Sequence, residues 1–280
     1  MSMELTIGAI NPGYGGLPIG VAAALGEASL AWHAHPGQSP TSPGYVTMRY
    51  HYPYAGAHIV IDAQPPMVDV LTVNGYDTWE QDVEALIDAG YKPPSVIVEV
   101  QLPNDEARPV CDFLDSHGYR TAWTCLCSNE VGTPHRRLRS YVFGVRNDCP
   151  VPGVNEAYLD ADPWTGTMWS SPNAYCTYLD SEAYRWAQAD LEGKADSRAL
   201  EHWEKVTGER YPYPLYTLHA TRSCLSVGFV EWMMGLPIGY VSTPFMQLTT
   251  DQRMSLLYSG TVPLQAAHAT ALILTQMDDE

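Results

Sequence analysis

Two hydrophobic periods alternate along the first half of the chain. Leu5-Thr-Ile-Gly-Ala-Ile10 is a short apolar run that predicts a buried strand. Ser29 to His33, His58-Ile-Val-Ile-Asp62, Val68-Asp-Val-Leu-Thr-Val73 and Ser95-Val-Ile-Val-Glu-Val100 repeat that pattern. Helical spacing falls between them. Leu17 to Leu25 carries Pro18 in its first turn, Trp79, Val83, Leu86 and Ile87 recur before Gly90, and Val110, Phe113 and Leu114 mark a third helix. Tyr119 to Leu126 and Arg139 to Val145 are expected to pair as strands. Strands alternating with helices predict an α/β fold with a mostly parallel sheet covered on both faces.

The pattern changes after Pro150. Residues 151–180 are rich in Pro, Ser, Asn, Trp and Tyr and have little periodicity. A long helix is expected from Ser181 to Val206, with Gly193 as its weak point, and Tyr211-Pro-Tyr-Pro214 ends it. From Phe229 the sequence again reads as packed core. Leu264, Ala267, Ala271 and Leu274 form one side of a final helix over Pro263 to Met277. These shifts divide the chain into a core at 1–150, a small region at 151–220, and a segment at 221–280 that completes the core.

Composition adds constraints. At 280 residues the chain can bury a large core, and 22 Pro with 22 Gly imply many loops. The N-terminus lacks a basic region followed by an apolar one, and no apolar run is long enough to cross a membrane. The six cysteines include no Cys-x-x-Cys pair. Reduced thiols in a cytoplasm, with no metal site, are therefore expected. The formal net charge is −17, from 15 basic and 32 acidic side chains. Affinity for duplex DNA rests largely on phosphate neutralisation, so this field disfavours DNA as a partner.

Two stretches carry candidate chemistry. Asn11-Pro-Gly-Tyr-Gly-Gly16 is a glycine turn between a strand and a helix, where backbone amides can meet a ligand, although any tight strand-to-helix turn wants glycine. Val131-Gly-Thr-Pro-His-Arg-Arg-Leu-Arg139 places three arginines within four residues at a strand start. That spacing suits an edge facing phosphate or carboxylate, or a solvated cluster capping the strand.

Together with Phe229-Val-Glu-Trp-Met-Met-Gly-Leu-Pro-Ile-Gly-Tyr240 and Gly260-Thr-Val-Pro-Leu-Gln265, these stretches follow the order of motifs in DNA (cytosine-5) methyltransferases. The chain resembles that family nearly end to end, most of all its actinobacterial and phage type. The resemblance implies an S-adenosylmethionine-dependent methyltransferase-like sheet with a small recognition-like region. It implies cofactor contacts at Gly13, Gly15, Gly16, His35, Asp62 and Ser259, with Asp62 near the adenine. It aligns Glu99 with a glutamate that reads the cytosine edge, and His135, Arg137 and Arg139 with a Gln-x-Arg-x-Arg pattern. The same glutamate and arginines suit a buried ion pair bracing the sheet.

Departures from the family pattern fall where its chemistry is done. Asp77 stands at or beside the place of the nucleophilic cysteine, and a carboxylate attacks a pyrimidine ring poorly. Residues 74–78 lead straight into the Trp79 helix, leaving no room for the long loop that closes over flipped DNA. His35 replaces the carboxylate expected to hold the ribose, and Ser259 replaces an asparagine. The expectation is a catalytically inactive relative that binds S-adenosylmethionine weakly or not at all. It would act by binding a protein, such as an active methyltransferase or a phage or host protein, or else a nucleic acid. Trp164, Trp169, Tyr175 and Tyr178 are candidate anchors, or rings packing the small region onto the sheet. The competing class is an active cytosine-5 methyltransferase or another pyrimidine-modifying enzyme.

Overall fold

A computed structural model describes residues 4–26, 28–35, 57–58, 65–75, 79–100, 107–163, 198–213, 215–219 and 222–279. Among the described residues seven strands form one sheet: β1 (Leu5–Ile10), β2 (Ala28–Ala34), β3 (Ala57–His58), β4 (Val70–Asn74), β5 (Ser95–Val100), β6 (Tyr119–Cys127) and β7 (Leu138–Arg146). Their order is β3-β2-β1-β4-β5-β7-β6. Neighbours from β3 to β5 are parallel, and β7 is inserted antiparallel between β5 and β6. The mixed α/β class expected from the alternation is the one observed. Every residue of β4 and β5 is buried, which explains their near-continuous apolar sequences.

Each face of the sheet has its own cover. On one side α1 (Gly16–Leu25) and the C-terminal helix α7 (Pro263–Asp278) pack on Ile7, Ile97, Tyr141 and Phe143. On the other, α2 (Trp79–Asp88) and α3 (Ala107–Ser116) bury Trp79, Val83, Val110 and Leu114 against Val96, Val98 and Val142. A third cluster unites α4 (Arg198–Thr207), α5 (Val227–Met233) and α6 (Thr250–Ser259) around Trp203, Phe229, Trp232 and Leu257, and draws in Tyr14. A two-stranded hairpin, β8 (Leu215–His219) and β9 (Arg222–Leu225), precedes α5.

Several boundaries differ from the sequence expectation. β4 begins at Val70, not Val68, because the Asp69 carboxylate turns back to accept the amide and hydroxyl of Thr6, both at 2.7 Å. Neither α6 nor the hairpin was expected. A signal for α6 was present, since Thr249 and Gln252 form a reciprocal capping box at its start. Cys125 and Cys127 are only half-buried because β6 lies at an edge of the sheet. Of the helix expected over Ser181–Val206, only Arg198–Thr207 falls within the described residues. His58 ends β3, while Asp62 and the anchors Trp164, Trp169, Tyr175 and Tyr178 lie outside the described residues. Among the described residues, no helix is long and apolar enough to cross a membrane.

The glycine turn is locked to the C-terminal segment by one close contact. A Cβ on Gly260 would sit 1.8 Å from the Tyr14 ring, which is fully buried. We therefore expect Gly260→Ala to destabilise the fold by about 1–3 kcal/mol, the usual cost of overpacking. Trimming the ring with Tyr14→Ala should make the second change cheaper. Urea unfolding of the two single variants and the double variant checks this, and strict additivity would contradict the contact.

Candidate functional site

The carboxyl ends of β4 and β5 meet the amino-terminal start of the antiparallel β7 at one point, where the polar residues are buried. Glu99, next to last in β5, pairs in register with Asn74 of β4 and with Tyr141 of β7. Arg139 lies two residues before Tyr141, so alternation puts both on the same face. The strand start explains which arginines enter. Arg136 and Leu138 are exposed, whereas His135, Arg137 and Arg139 are buried. Neither reading of Arg136, Arg137 and Arg139, an anion-facing edge or a solvated cluster, holds for all three: period-two alternation sends two of the three cations inward.

Inside, Arg139 Nε donates to Glu99 Oε1 at 2.9 Å, with both side chains essentially inaccessible. The other oxygen, Oε2, accepts from Asn74 Nδ2 at 3.1 Å and from the hydroxyl of Thr261. Asn74 Nδ2 also lies 3.2 Å from Thr261 Oγ1. Both oxygens of Glu99 are thus engaged by the chain itself. A buried ion pair is sustained only when extra hydrogen bonds offset its desolvation, and here the carboxylate has three donors.

Arg137 does something different. Its guanidinium donates to Leu257 O at 3.3 Å and to Tyr258 O, with Met234 Sδ at 3.7 Å. These carbonyls belong to the last turn of α6, where a cation satisfies groups the helix leaves open and complements its dipole. Gln265 Nε2 donates to Leu126 O and Arg137 O, both at 2.8 Å, tying β6 and the approach to β7 onto α7. Asn74, Thr261, Gln265 and Tyr14 were not singled out from sequence. Thr261 and Gln265 nevertheless sit in the Gly260–Gln265 stretch, and Tyr14 sits in the glycine turn.

Two further groups share this buried region. Burial, followed by the nearby Glu99 charge, pushes the Tyr141 phenol well above its usual range, and its hydroxyl has no partner among the described residues. His135 also has neither ring nitrogen bonded among them. Burial first, then the Arg137 and Arg139 charges, lowers its pKa from 6.5 to about 3.

The glycine turn lies beside this cluster. Asn11, Gly13 and Gly15 adopt left-handed backbone, with φ of 51°, 57° and 96°, and α1 starts at Gly16. A Cβ on Gly13 would meet nothing within 4 Å among the described residues. Tyr14 faces the opposite way: its hydroxyl donates to Thr261 O, and its carbonyl accepts from Tyr240 at 2.9 Å. Burial raises the Tyr14 phenol pKa, against the lowering effect of Arg137.

Toward S-adenosylmethionine, these residues fit in part. The turn and the helix start supply a suitable backbone. His35 is buried at the end of β2, edge-on to His33 with ring centroids 5.6 Å apart. A neutral imidazole there has one acceptor, whereas two ribose hydroxyls need two. Ser259 donates back to Ser255 O at 2.9 Å on its own helix. Asp62 and Asp77 lie outside the described residues. Among the described residues no three His, Cys, Asp or Glu side chains gather as a metal site requires. A groove of about 330 Å3 between residues 157–162, α4 and α7, lined by Tyr158, Asp162, Lys205 and His268, contains none of these groups.

The fold is that of S-adenosylmethionine-dependent methyltransferases, and it is DNA methyltransferase-like. Across 99% of this chain and 100% of the other, it is similar to an E. coli prophage protein described as a DNA modification methyltransferase, at TM-score 0.57 and 11% identity. The Dnmt2 methyltransferase of S. pombe matches at TM-score 0.57 and 12% identity, covering 98% of this chain and 99% of the other. A methyltransferase of Entamoeba histolytica matches over 100% of both chains at TM-score 0.53 and 10% identity. No protein-family model and no curated protein matches the sequence.

Two stability measurements follow. Glu99→Ala removes the carboxylate from beside a buried cation and should cost about 3–5 kcal/mol, while the Glu99→Leu, Arg139→Met double variant should cost much less than the sum of its parts. Additive losses in urea unfolding would contradict the pairing. For His135 the folded pKa lies below the unfolded one, so the unfolded chain binds the extra proton. That stability is fully present above 6.5 and is lost as pH falls toward about 3. His135→Leu should flatten this acid-side loss relative to wild type, and an unchanged pH profile would contradict the assignment.

Proposed function

We propose that this chain is a catalytically inactive relative of DNA cytosine-5 methyltransferases that works by binding a partner. The observation that carries this reading is the engagement of Glu99: the carboxylate that the resemblance assigns to the cytosine edge is held by Arg139, Asn74 and Thr261. Arg137 is likewise turned to the end of α6.

The sequence supports the same conclusion. All six cysteines fall at or after Cys111, so the segment that follows β4, where the resemblance places the nucleophile, contains none. Residues 75–78 are all that connects β4 to α2. The burial of His35 and the self-directed hydroxyl of Ser259 support weak cofactor binding or none. With a net charge of −17, a protein partner fits better than DNA.

An active S-adenosylmethionine-dependent DNA methyltransferase is the second reading. The observation favouring it is the left-handed glycine turn leading into α1. A tritiated methyl-transfer assay on mixed-sequence DNA separates the two. The inactive reading expects no incorporation above a protein-free control, and also none from Asp77→Cys, because residues that act as a unit are not rescued singly. Cytosine-5 methylation by the wild-type chain would overturn it.

A further inference from the structure

The groove between residues 157–162, α4 and α7 shares no lining residue with the Glu99 cluster and has the make-up of a small-ligand site. Its apolar lining includes buried Val131 and half-buried Val206 and Leu264, and its charges come from exposed Asp160, Asp162 and Lys205. The volume of about 330 Å3 falls at the lower end of the roughly 300–1,000 Å3 that small-molecule sites enclose. Such a lining suits an apolar body carrying a few polar groups.

One wall is fixed by the chain itself. Residues 155–162 are tied down at three points: Asn155 N donates to Ala24 O at 2.6 Å, His268 Nδ1 to Tyr158 O at 2.6 Å, and His202 Nε2 to Asp162 O at 2.9 Å. Gly132, with φ of 88°, lets this wall and α4 close on the turn before β7. A Cβ there would sit 2.8 Å from Asp162 O and 3.0 Å from Val206 Cγ2. A preformed wall spares a ligand the cost of ordering it. Because a carbonyl only accepts, His268 Nδ1 carries the proton, and Nε2 is the acceptor left in the neutral ring.

Charge narrows the ligand class. Among the described residues Lys205 makes no ion pair with Asp160 or Asp162, so both signs line one groove without neutralising each other. An anion alone would face the two carboxylates and the field of a chain at −17. A cation alone would be opposed by Lys205. A zwitterion carries no net charge, and its two ends match the two signs. We propose that the groove binds a small zwitterion with an apolar body, of the α-amino-acid class. Lys205 meets its carboxylate, Asp160, Asp162 and His268 Nε2 meet its ammonium, and Val206 and Leu264 receive its side chain. The inference is independent of whether the chain transfers methyl groups.

Saturation-transfer NMR on the full chain, titrated separately with L-valine, L-leucine and L-phenylalanine, tests the proposal. At least one should bind saturably, at about millimolar or tighter. The matching amine without the carboxylate, and the matching acid without the amine, should each bind about fivefold or more weakly, as loss of an exposed ion pair allows. For phenylalanine these are 2-phenylethylamine and 3-phenylpropionate. Lys205→Gln, and Asp160→Asn combined with Asp162→Asn, should weaken amino-acid binding by the same factor, whereas Lys92→Gln, at another exposed lysine, should not. The changed side chains are all exposed, so the fold should be kept, which circular dichroism verifies, and the comparison of ligands needs no variant. No saturable binding of any of the three amino acids would overturn the proposal. So would half-ligands that bind as tightly, indifference to both groove variants, or an equal loss with Lys92→Gln.

Discussion

The buried contact between Glu99 and Arg139 joins elements that are distant in sequence. Glu99 comes from β5, Arg139 from β7, Asn74 from β4, and Thr261 from the link between α6 and α7. Because the carboxylate is out of water, it must be met by donors from its surroundings. That requirement fixes the position of Thr261, whose carbonyl in turn accepts from Tyr14 of the glycine turn. Gly260 lies against the same ring. Packing, ion pairing and the geometry of the turn are thus one coupled arrangement, with Glu99 at its centre.

This arrangement also accounts for the charge problem. A chain with 15 basic side chains has few to offer a polyanion, and Arg137 and Arg139 are turned inward. Arg139 neutralises Glu99, and Arg137 closes the carboxyl end of α6. Their chemistry is electrostatic but internal, bracing the sheet against its C-terminal cover. The glycine turn adopts left-handed backbone leading into α1, while the side chains around it are directed to one another.

Much of the fold was legible because its strands and helices announce themselves by period. β1, β4, β5 and the helices at Trp79 and Pro263 are long, clean patterns buried on predictable faces. The Glu99–arginine pairing was also readable, since a lone acid in an apolar strand needs a cation. The division of labour between the arginines was not. Arg137 caps a helix at 250–259 whose mixed polar sequence shows little amphipathic period, so its capping target was invisible without that element. Nor could the direction of Tyr14 be read: a ring within a glycine turn faces inward only because Gly260, far along the chain, leaves room for it. Half-burial of Cys125 and Cys127 depended on β6 being the sheet's edge, which the antiparallel insertion of β7 decides.

Calorimetric titration of the purified chain with S-adenosylmethionine tests the central claim most directly, because it asks whether the side chains around the turn are free for a cofactor or engaged by the protein. Losing paired acceptors for the ribose should weaken binding by roughly 1–3 kcal/mol. The account therefore predicts no saturable heat in the micromolar range. A one-to-one isotherm with a micromolar dissociation constant, or cofactor retained through purification, would contradict it.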